Sequence, residues 1–211
     1  GTYRVNDEMI DDARAEIRGP HVANLGAVLA FGIAWDYELE AFIVDPPCVD
    51  EMDAVARYSG MPEIERTSLV HALNVKAAAR AAGKELRRDV CDVDLVVAHL
   101  GGGITVAALR NGRMIDVTNG LSEGPFTPDR SGALPTVDLM KLCFSGDYGE
   151  AEVMRKLVGG GGLTAYLGIA HEDISAIDVR IGLGDPASPQ WESPDNLADG
   201  LGGANLVLAD L

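Results

Sequence analysis

Residues 96–117, VVAHLGGGITVAALRNGRMIDV, contain three apolar runs separated by two different kinds of turn. His99 lies near the end of the first run, and the glycines at 101–103 separate it from the second. An Asn-Gly pair, inside residues 110–113, separates the second run from the third, and this is a strong signal for a two-residue β-hairpin turn. The stretch therefore predicts three strands over residues 94–118, with a glycine loop between the first two.

Gly101, Gly102 and Gly103 together predict an anion-binding loop. Glycines permit positive φ angles and let backbone N–H groups approach an anion without interference from Cβ atoms. His99 would stand beside that anion as a donor, and Thr105 would add a hydroxyl. The alternative is a glycine-rich turn with a bulge and a core histidine. A lone glycine cluster does not decide between the two.

The composition excludes several function classes. The chain has 211 residues, of which 47% are hydrophobic and 24% charged, as in ordinary globular proteins of one large or two small domains. A formal net charge of −16 argues against nucleic acid, whose phosphates require basic patches. We find no apolar run of membrane-spanning length and no signal peptide, so we expect a cytoplasmic protein with no membrane partner. The three widely spaced cysteines, Cys48, Cys91 and Cys143, predict buried, reduced thiols.

The hydrophobic pattern predicts an α/β protein with a boundary near residues 84–92. Asn6 is a plausible N-cap for the first helix. The final residues, 186–211, lack a clean periodicity, and we expect them to be weakly ordered or foreign to the fold. Outside the three strands, the predicted elements are helices over 6–17, 20–36, 49–60, 65–82, 137–158 and 163–182 and a short buried strand over 41–47.

Further candidate site residues lie outside the glycine loop. Arg130 lies in a proline-stiffened loop, and its planar guanidinium suits phosphate or carboxylate. Asp45 ends a predicted strand, the edge at which α/β sheets bind ligands. His71 and Asn74 are three residues apart on one face of a predicted helix. Each has a structural alternative: a surface ion pair for Arg130, a turn residue for Asp45 and a partly buried structural histidine for His71.

Five segments, in this order, resemble the acetate/butyrate kinase family: FIVDPPCVDEM, SGMPEIERTSLVHALNVKAAAR, LVVAHLGGGITVAA, EGPFTPDRSGALPTVDLMKLCFSG and GGGGLTAYLG. The resemblance implies an actin-like fold of two domains, of the sugar-kinase-like superfamily, that is incomplete at both ends here. Residues 1–84 would be the C-terminal part of a substrate-side domain. Residues 85–185 would be the N-terminal part of a nucleotide-side domain. The tail, 186–211, would be atypical, either disordered or frame-shifted.

The resemblance also implies an activity. Family members transfer the γ-phosphoryl group of ATP, with Mg²⁺, to a short-chain carboxylate and so form an acyl phosphate. Arg130 would stabilise the transferring group, His71 would bond the phosphoryl oxygens, and Asp45 would act near the catalytic centre and contact the metal through water. The residues implied in ATP binding are Asn74, His99, Gly101, Gly102, Gly103 and Thr105.

Two positions favour the butyrate branch of the family. The acetate branch typically has Asn where Gly102 stands, and a Gly-Thr-Ser-His run where residues 72–75 stand. We therefore expect butyrate or a branched relative as the acid. The alternatives are an acetate or propionate kinase, or an inactive fragment with a structural or nucleotide-sensing role. The family's Asn- and Ser-rich strand, Arg-Gly-Gly segment and adenosine motif are not found, so we expect part of a longer, homo-oligomeric enzyme.

Overall fold

The computed structural model describes residues 1–17 and 22–168, together with the backbone of residues 204–209. The chain divides into two compact units, Gly1–Val49 and Asp50–Leu211. The predicted boundary near residues 84–92 falls inside the second unit. The assignment of the segments to two family domains stays a prediction.

The first unit combines two helices with a two-stranded ribbon. Asn6 accepts a hydrogen bond from the N–H of Met9 at 2.9 Å and so caps the first helix, as predicted. A small core forms around Val5, Ile10 and Ala27. The elements are β1 (Thr2–Arg4), α1 (Asp7–Arg14), α2 (Val22–Asp36) and β2 (Phe42–Val44), and β1 pairs antiparallel with β2.

The strand predicted as buried over residues 41–47 is shorter and more exposed. Ile43 packs against the small core, whereas Phe42 and Val44 are 51% and 46% exposed. Successive side chains of a strand point to opposite faces, and only one face of this ribbon meets the helices. The prediction of burial is therefore wrong for β2. Asp45 follows β2 with a positive φ of 43° and is buried.

The second unit contains an antiparallel sheet. Its strands are β3 (Leu95–Leu100), β4 (Ile104–Arg110), β5 (Arg113–Val117) and β6 (Ala204–Ala209), in the order β5-β4-β3-β6. The three strands predicted from the sequence are confirmed. Asn111 and Gly112 both have positive φ, 52° and 71°, which confirms the two-residue hairpin turn.

Strand β6 lies within the tail for which the sequence predicts weak order. It pairs antiparallel with β3 from Leu95↔Ala209 to Leu100↔Ala204. These six residues are therefore a strand of the sheet. The other residues of the tail lie outside the described part of the chain.

The helix predicted over residues 65–82 begins later. Helix α3 spans Ala72–Glu85, and residues 65–70 are not helical. The backbone of the non-helical part finds other partners: the N–H of Arg66 donates to Arg57 at 3.0 Å, and the carbonyl of Leu69 accepts from Gly120 at 2.9 Å. These bonds replace the helical ones that the apolar pattern predicts. Helix α3 packs on β3, with Val75 and Val97 fully buried.

The helices predicted over 49–60 and 137–158 are also shorter in the structure. The helix expected over 49–60 is a single 3₁₀ turn at Ala54–Arg57. The one expected over 137–158 is divided at Gly146, whose φ of +86° is incompatible with a right-handed helix. The resulting helices are α4 (Thr136–Cys143) and α5 (Glu150–Leu157). Of the helix predicted over 163–182, the described part forms α6 (Gly162–Leu167), and residues 169–182 lie outside the described part of the chain. Within the described residues, no helix has the length and apolar character needed to cross a membrane.

The three cysteines are not buried. Cys48, Cys91 and Cys143 are free thiols, and all three are exposed, so the prediction of burial is wrong for them.

Candidate functional site

The glycine loop between β3 and β4 is held by a hydrogen bond of its own. The N–H of Gly101 donates to the carbonyl of Gly103 at 3.2 Å. Neither Gly102 nor Gly103 has a positive φ, so the predicted conformational reason for these glycines is wrong. Among the described residues, the N–H groups of Gly102 and Gly103 have no carbonyl partner.

Close approach is the reason for glycine at position 103. A Cβ atom added to Gly103 would lie 2.9 Å from Cε1 of His71 and 3.1 Å from Nη1 of Arg130. Real Cβ atoms essentially never come as close as 2.9 Å to another heavy atom, so a side chain here would displace the imidazole of His71. Gly102 differs, since nothing lies within 4 Å of its Cβ position. The loop therefore meets two of the three predicted catalytic side chains, those of His71 and Arg130, at Gly103.

His71 is placed by the start of α3 and by a buried hydroxyl. It is the N-cap residue of α3 rather than a residue on a helix face, because the helix begins at Ala72. Its Nδ1 lies 2.9 Å from Oγ1 of Thr105, a β4 residue that is fully buried. In the structure the Thr105 hydroxyl therefore bonds to His71. Direct contact between Thr105 and a phosphate stays a prediction.

His99 lies against His71. The centroids of the two imidazole rings are 4.2 Å apart, with the ring planes inclined by 32°. Nδ1 of His99 lies 3.2 Å from Oδ1 of Asn74, which is in the first turn of α3. An amide oxygen only accepts, so Nδ1 of His99 donates in this pair. The structure therefore brings together four predicted residues from a helix and a strand pair.

Arg130 reaches the cluster from a separate loop. Its Nη1 donates to the carbonyl of Gly120 at 2.7 Å. Its backbone N–H donates to Oγ1 of Thr127 at 3.1 Å, and its carbonyl accepts from the N–H of Thr127 at 3.0 Å. These bonds fix the backbone that carries the guanidinium, as the prolines of the loop predict.

The electrostatics of the cluster favour an anion. The pKa of His71 is lowered to about 4, first because the ring is buried and then because charges on His99 and Arg130 lie nearby. At pH 7 His71 is therefore neutral, and the positive charge of Arg130 faces it. A site of imidazole, guanidinium and backbone N–H donors suits the oxygens of a phosphate or carboxylate group.

Arg66 is an organising residue that the sequence reasoning missed. Its guanidinium contacts Oε2 of Glu123 at 2.9 Å and Oδ1 of Asp116 at 3.0 Å, and donates to the carbonyls of Ala56 at 2.7 Å and Val117 at 2.8 Å. It thereby holds the loop that presents the carbonyl of Gly120 to Arg130. The most distant of these partners, Glu123, lies 57 residues from Arg66 in the sequence. No local residue spacing could therefore reveal these contacts.

Asp45 belongs to the first unit. Its buried carboxylate accepts from the amino group of Gly1, and its catalytic and metal roles stay predictions. In the described part of the chain, no group of three or more His, Cys, Asp or Glu side chains could hold a metal ion. A nucleotide-bound Mg²⁺ usually keeps several waters and needs only one or two carboxylates.

Comparison with known proteins identifies the family. The profile of the acetokinase family matches residues 66–180. Butyrate kinase 2 of Clostridium acetobutylicum is 49% identical over 181 residues, which are 85% of this chain and 50% of the relative. The chain therefore spans about half the length of this curated relative.

Solved structures agree on the fold. An acetate kinase of Porphyromonas gingivalis is similar with a TM-score of 0.70 at 21% identity, over 88% of this chain and 49% of that one. A propionate kinase of Francisella tularensis gives 0.66 at 22% identity, over 88% and 50%. The fold predicted from the sequence, that of the actin-like kinases, is confirmed for the part of that fold that this chain covers, about half of each solved kinase. Since the family profile covers more than half of the chain and includes the whole cluster from His71 to Arg130, the chain belongs to the acetokinase family.

Proposed function

We propose that the cluster around Gly103 binds the phosphate groups of ATP. We further propose that the protein containing this chain transfers the γ-phosphoryl group to a short-chain carboxylate, forming an acyl phosphate. The observation that carries the proposal is the meeting of His71 and Arg130 at Gly103, a position where a Cβ would lie about 3 Å from both. Donors from three separate segments converge on a place kept clear of side chains.

Each residue of the cluster has a definite part in this reaction. A transferring phosphoryl group spreads negative charge over its equatorial oxygens, and donors that are already oriented stabilise that charge. Arg130 supplies fixed positive charge, because Gly120 and Thr127 hold it. Neutral His71 supplies a hydrogen-bond donor. The N–H groups of Gly102 and Gly103 supply two more. The acceptor carboxylate is already ionised at neutral pH and needs no general base.

Mg²⁺, when bound with ATP, neutralises part of the phosphate charge. The cluster of His71, Arg130 and the glycine loop consists of hydrogen-bond donors, which suit the phosphate oxygens of such a complex. Asp45 is the residue proposed to meet the metal, through a water molecule. This role agrees with the small number of protein ligands that Mg²⁺ takes in nucleotide sites.

Butyrate, or a branched acid of similar size, is the proposed acceptor. The support is the 49% identity to a butyrate kinase, together with Gly102 and the sequence of residues 72–75. The acetate and propionate kinases compared above, at 21% and 22% identity, inform only the fold. We also propose, by family membership, that the protein acts in the cytoplasm as a homo-oligomer.

A chimeric enzyme tests the activity. The matched segment of this chain replaces the corresponding segment of Clostridium acetobutylicum butyrate kinase 2, and acyl phosphate is trapped as hydroxamate with ATP and Mg²⁺. We expect turnover with butyrate and isobutyrate to exceed turnover with propionate and acetate. The chimera with Arg130→Ala is the matched inactive control. A folded chimera that binds ATP and forms no hydroxamate with any of the four acids would contradict the proposal.

A further inference from the structure

Thr105 carries a hydroxyl in a fully buried position. Its Oγ1 lies 2.9 Å from Nδ1 of His71, and this is its one hydrogen-bond contact among the described residues. A buried hydroxyl proton that has no acceptor costs free energy, as does a buried acceptor that has no donor. The contact must therefore satisfy both Thr105 and His71.

The direction of the hydrogen bond follows from this requirement. If Nδ1 of His71 carried the ring proton, the hydroxyl oxygen would accept it, and the hydrogen of the hydroxyl would have no described partner. If the hydroxyl donates to an unprotonated Nδ1, both groups are satisfied. A neutral imidazole carries one proton, so the proton is then on Nε2.

Nε2 of His71 lies beside the glycine loop. A Cβ at Gly103 would be 3.2 Å from Nε2 and 3.1 Å from Nη1 of Arg130. The hydrogen on Nε2 and the guanidinium of Arg130 therefore border the same space. With the proton on Nδ1 instead, Nε2 would present a lone pair there and repel an anion.

We propose that Thr105 is a positioning residue whose hydroxyl holds neutral His71 in its Nε2–H form, so that His71 donates a hydrogen bond to a phosphate group. The choice of phosphate rests on the proposed function, whereas the Thr105–His71 bond stands without it. The neutrality of His71 agrees with its pKa of about 4. When the ring has a single proton, the position of that proton decides whether His71 attracts or repels an anion.

Thr105 acts here through His71 and not as a ligand of the phosphate. Its side chain is wholly buried, so it offers no surface to an anion. Ser at this position would keep the hydroxyl, whereas Val would keep the shape and lose it. These two variants therefore separate the hydrogen bond from the packing of β4.

Nitrogen NMR of the histidine-labelled chain tests the proton's position. The chain has four histidines, and the His71→Ala variant identifies the resonances of His71. At pH 7 we expect a protonated, pyrrole-type Nε2 and an unprotonated, pyridine-type Nδ1. Thr105→Val should shift both resonances toward a mixture of tautomers, and Thr105→Ser should restore them. A wild-type proton on Nδ1 would overturn the proposal, even if Thr105→Val fails to fold.

Titration with inorganic phosphate tests whether the hydrogen bond between Thr105 and His71 strengthens phosphate binding. We expect Thr105→Val to weaken phosphate binding about two- to tenfold, since only the Nε2–H fraction of the molecules binds well. In the His71→Ala background, Thr105→Val should cause no further loss. An equal loss in both backgrounds would overturn the proposal, because Thr105 would then act without His71. If the wild type carries the Nε2 proton but binds neither phosphate nor ATP, the proposed function fails and the tautomer assignment stands.

Discussion

Nη1 of Arg130 donates a hydrogen bond to the carbonyl oxygen of Gly120 at 2.7 Å. One of the five guanidinium N–H groups is thus bonded to the backbone, and this bond orients the other four. The carbonyl of Gly120 is itself held, because the N–H of Gly120 donates to Leu69 at 2.9 Å. The charge of Arg130 is therefore oriented before any ligand arrives, which is the condition under which a donor stabilises a transition state most.

Removal of the Arg130 side chain should lower turnover far more than ATP binding. In the butyrate kinase chimera, we expect Arg130→Ala to lower kcat by about 100-fold or more, as does the loss of other transition-state donors. Arg110→Ala is the control, since Arg110 is 58% exposed and pairs only with Asp94 at 3.5 Å among its described ion pairs. An unchanged kcat with a raised KM for ATP would contradict the role of Arg130.

A side chain at Gly102 should leave the stability of the fold nearly unchanged but weaken ATP binding at the site. Gly102 has no positive φ, and nothing lies within 4 Å of its Cβ position. We expect Gly102→Val to leave the melting temperature nearly unchanged and to weaken ATP binding about tenfold, the effect of one lost hydrogen bond to a charged group. Calorimetric titration of this chain with ATP measures it. Unfolding of the variant would indicate a structural loop instead.

Gly103 should behave in the opposite way. A Cβ there would lie 2.9 Å from Cε1 of His71, so Gly103→Ala must push the imidazole or the loop aside. We expect lower stability, by about 1–3 kcal/mol as for other overpacked sites, and weaker ATP binding. Gly102→Ala is the matched control and should change the stability little. Equal melting temperatures for the two alanine variants would show that the contact at Gly103 is relaxed in solution.

The Arg66 cluster should contribute more stability than a surface ion pair. Arg66→Met removes the guanidinium from the carboxylate of Glu123, which keeps the N–H of Asn119, and from the carbonyls of Ala56 and Val117. We expect a loss of about 2–4 kcal/mol in the free energy of unfolding, measured with urea. Lys141→Met is the control, because Lys141 and its partner Asp138 are 67% and 71% exposed. That substitution should change the free energy by less than about 0.5 kcal/mol.

His71 should make the fold sensitive to acid. Its pKa is about 4 in the folded chain and about 6.5 in an unfolded one. Between these values the unfolded chain binds a proton that the folded chain does not, so stability falls as the pH falls from about 6.5 to about 4. We expect His71→Gln to reduce this loss, measured as the difference between urea midpoints at pH 7 and pH 5. An identical loss in both proteins would show that His71 does not titrate in this way.

The chain on its own should show no measurable kinase turnover. Phosphoryl transfer depends on donors that converge from the whole enzyme, and this chain spans 50% of the length of butyrate kinase 2. The hydroxamate assay with ATP, Mg²⁺ and butyrate on the purified chain measures this. A rate within about tenfold of an ordinary kinase, 1–100 s⁻¹, would show that the rest of the enzyme is dispensable.

Local signals in the sequence predicted much of the second unit's sheet. The Asn-Gly pair fixed a hairpin, and the apolar runs around it gave three strands. The start of α3 could not be found in this way, because residues 65–70 have a helical apolar pattern. Their backbone instead bonds to Arg57 and Gly120, which are distant in the sequence. Apolar periodicity shows which side chains are buried. It does not show which distant backbone groups take the hydrogen bonds that a helix would otherwise use.

The grouping of the candidate site residues was predictable mainly from the family resemblance. His71, His99 and Arg130 were predicted as candidate anion donors, and the structure brings them together; their anion-binding roles stay predictions. The reason for the glycines was not predictable, since it lies in the approach of His71 and Arg130 to Gly103 and not in any φ angle. The link between Thr105 and His71 joins residues 34 positions apart, so only the folded chain reveals it.

Asn111 and Gly112 reverse the chain within two residues, and this local closure bears on the order of folding. Hairpins form within about 1–10 μs, whereas contacts between distant segments wait for larger loops to close. Strand β4, which carries Thr105, belongs to this hairpin, while His71 and Arg130 lie before and after it in the chain. We therefore expect the hairpin that carries Thr105 to form before the longer loops close and bring His71 and Arg130 onto it.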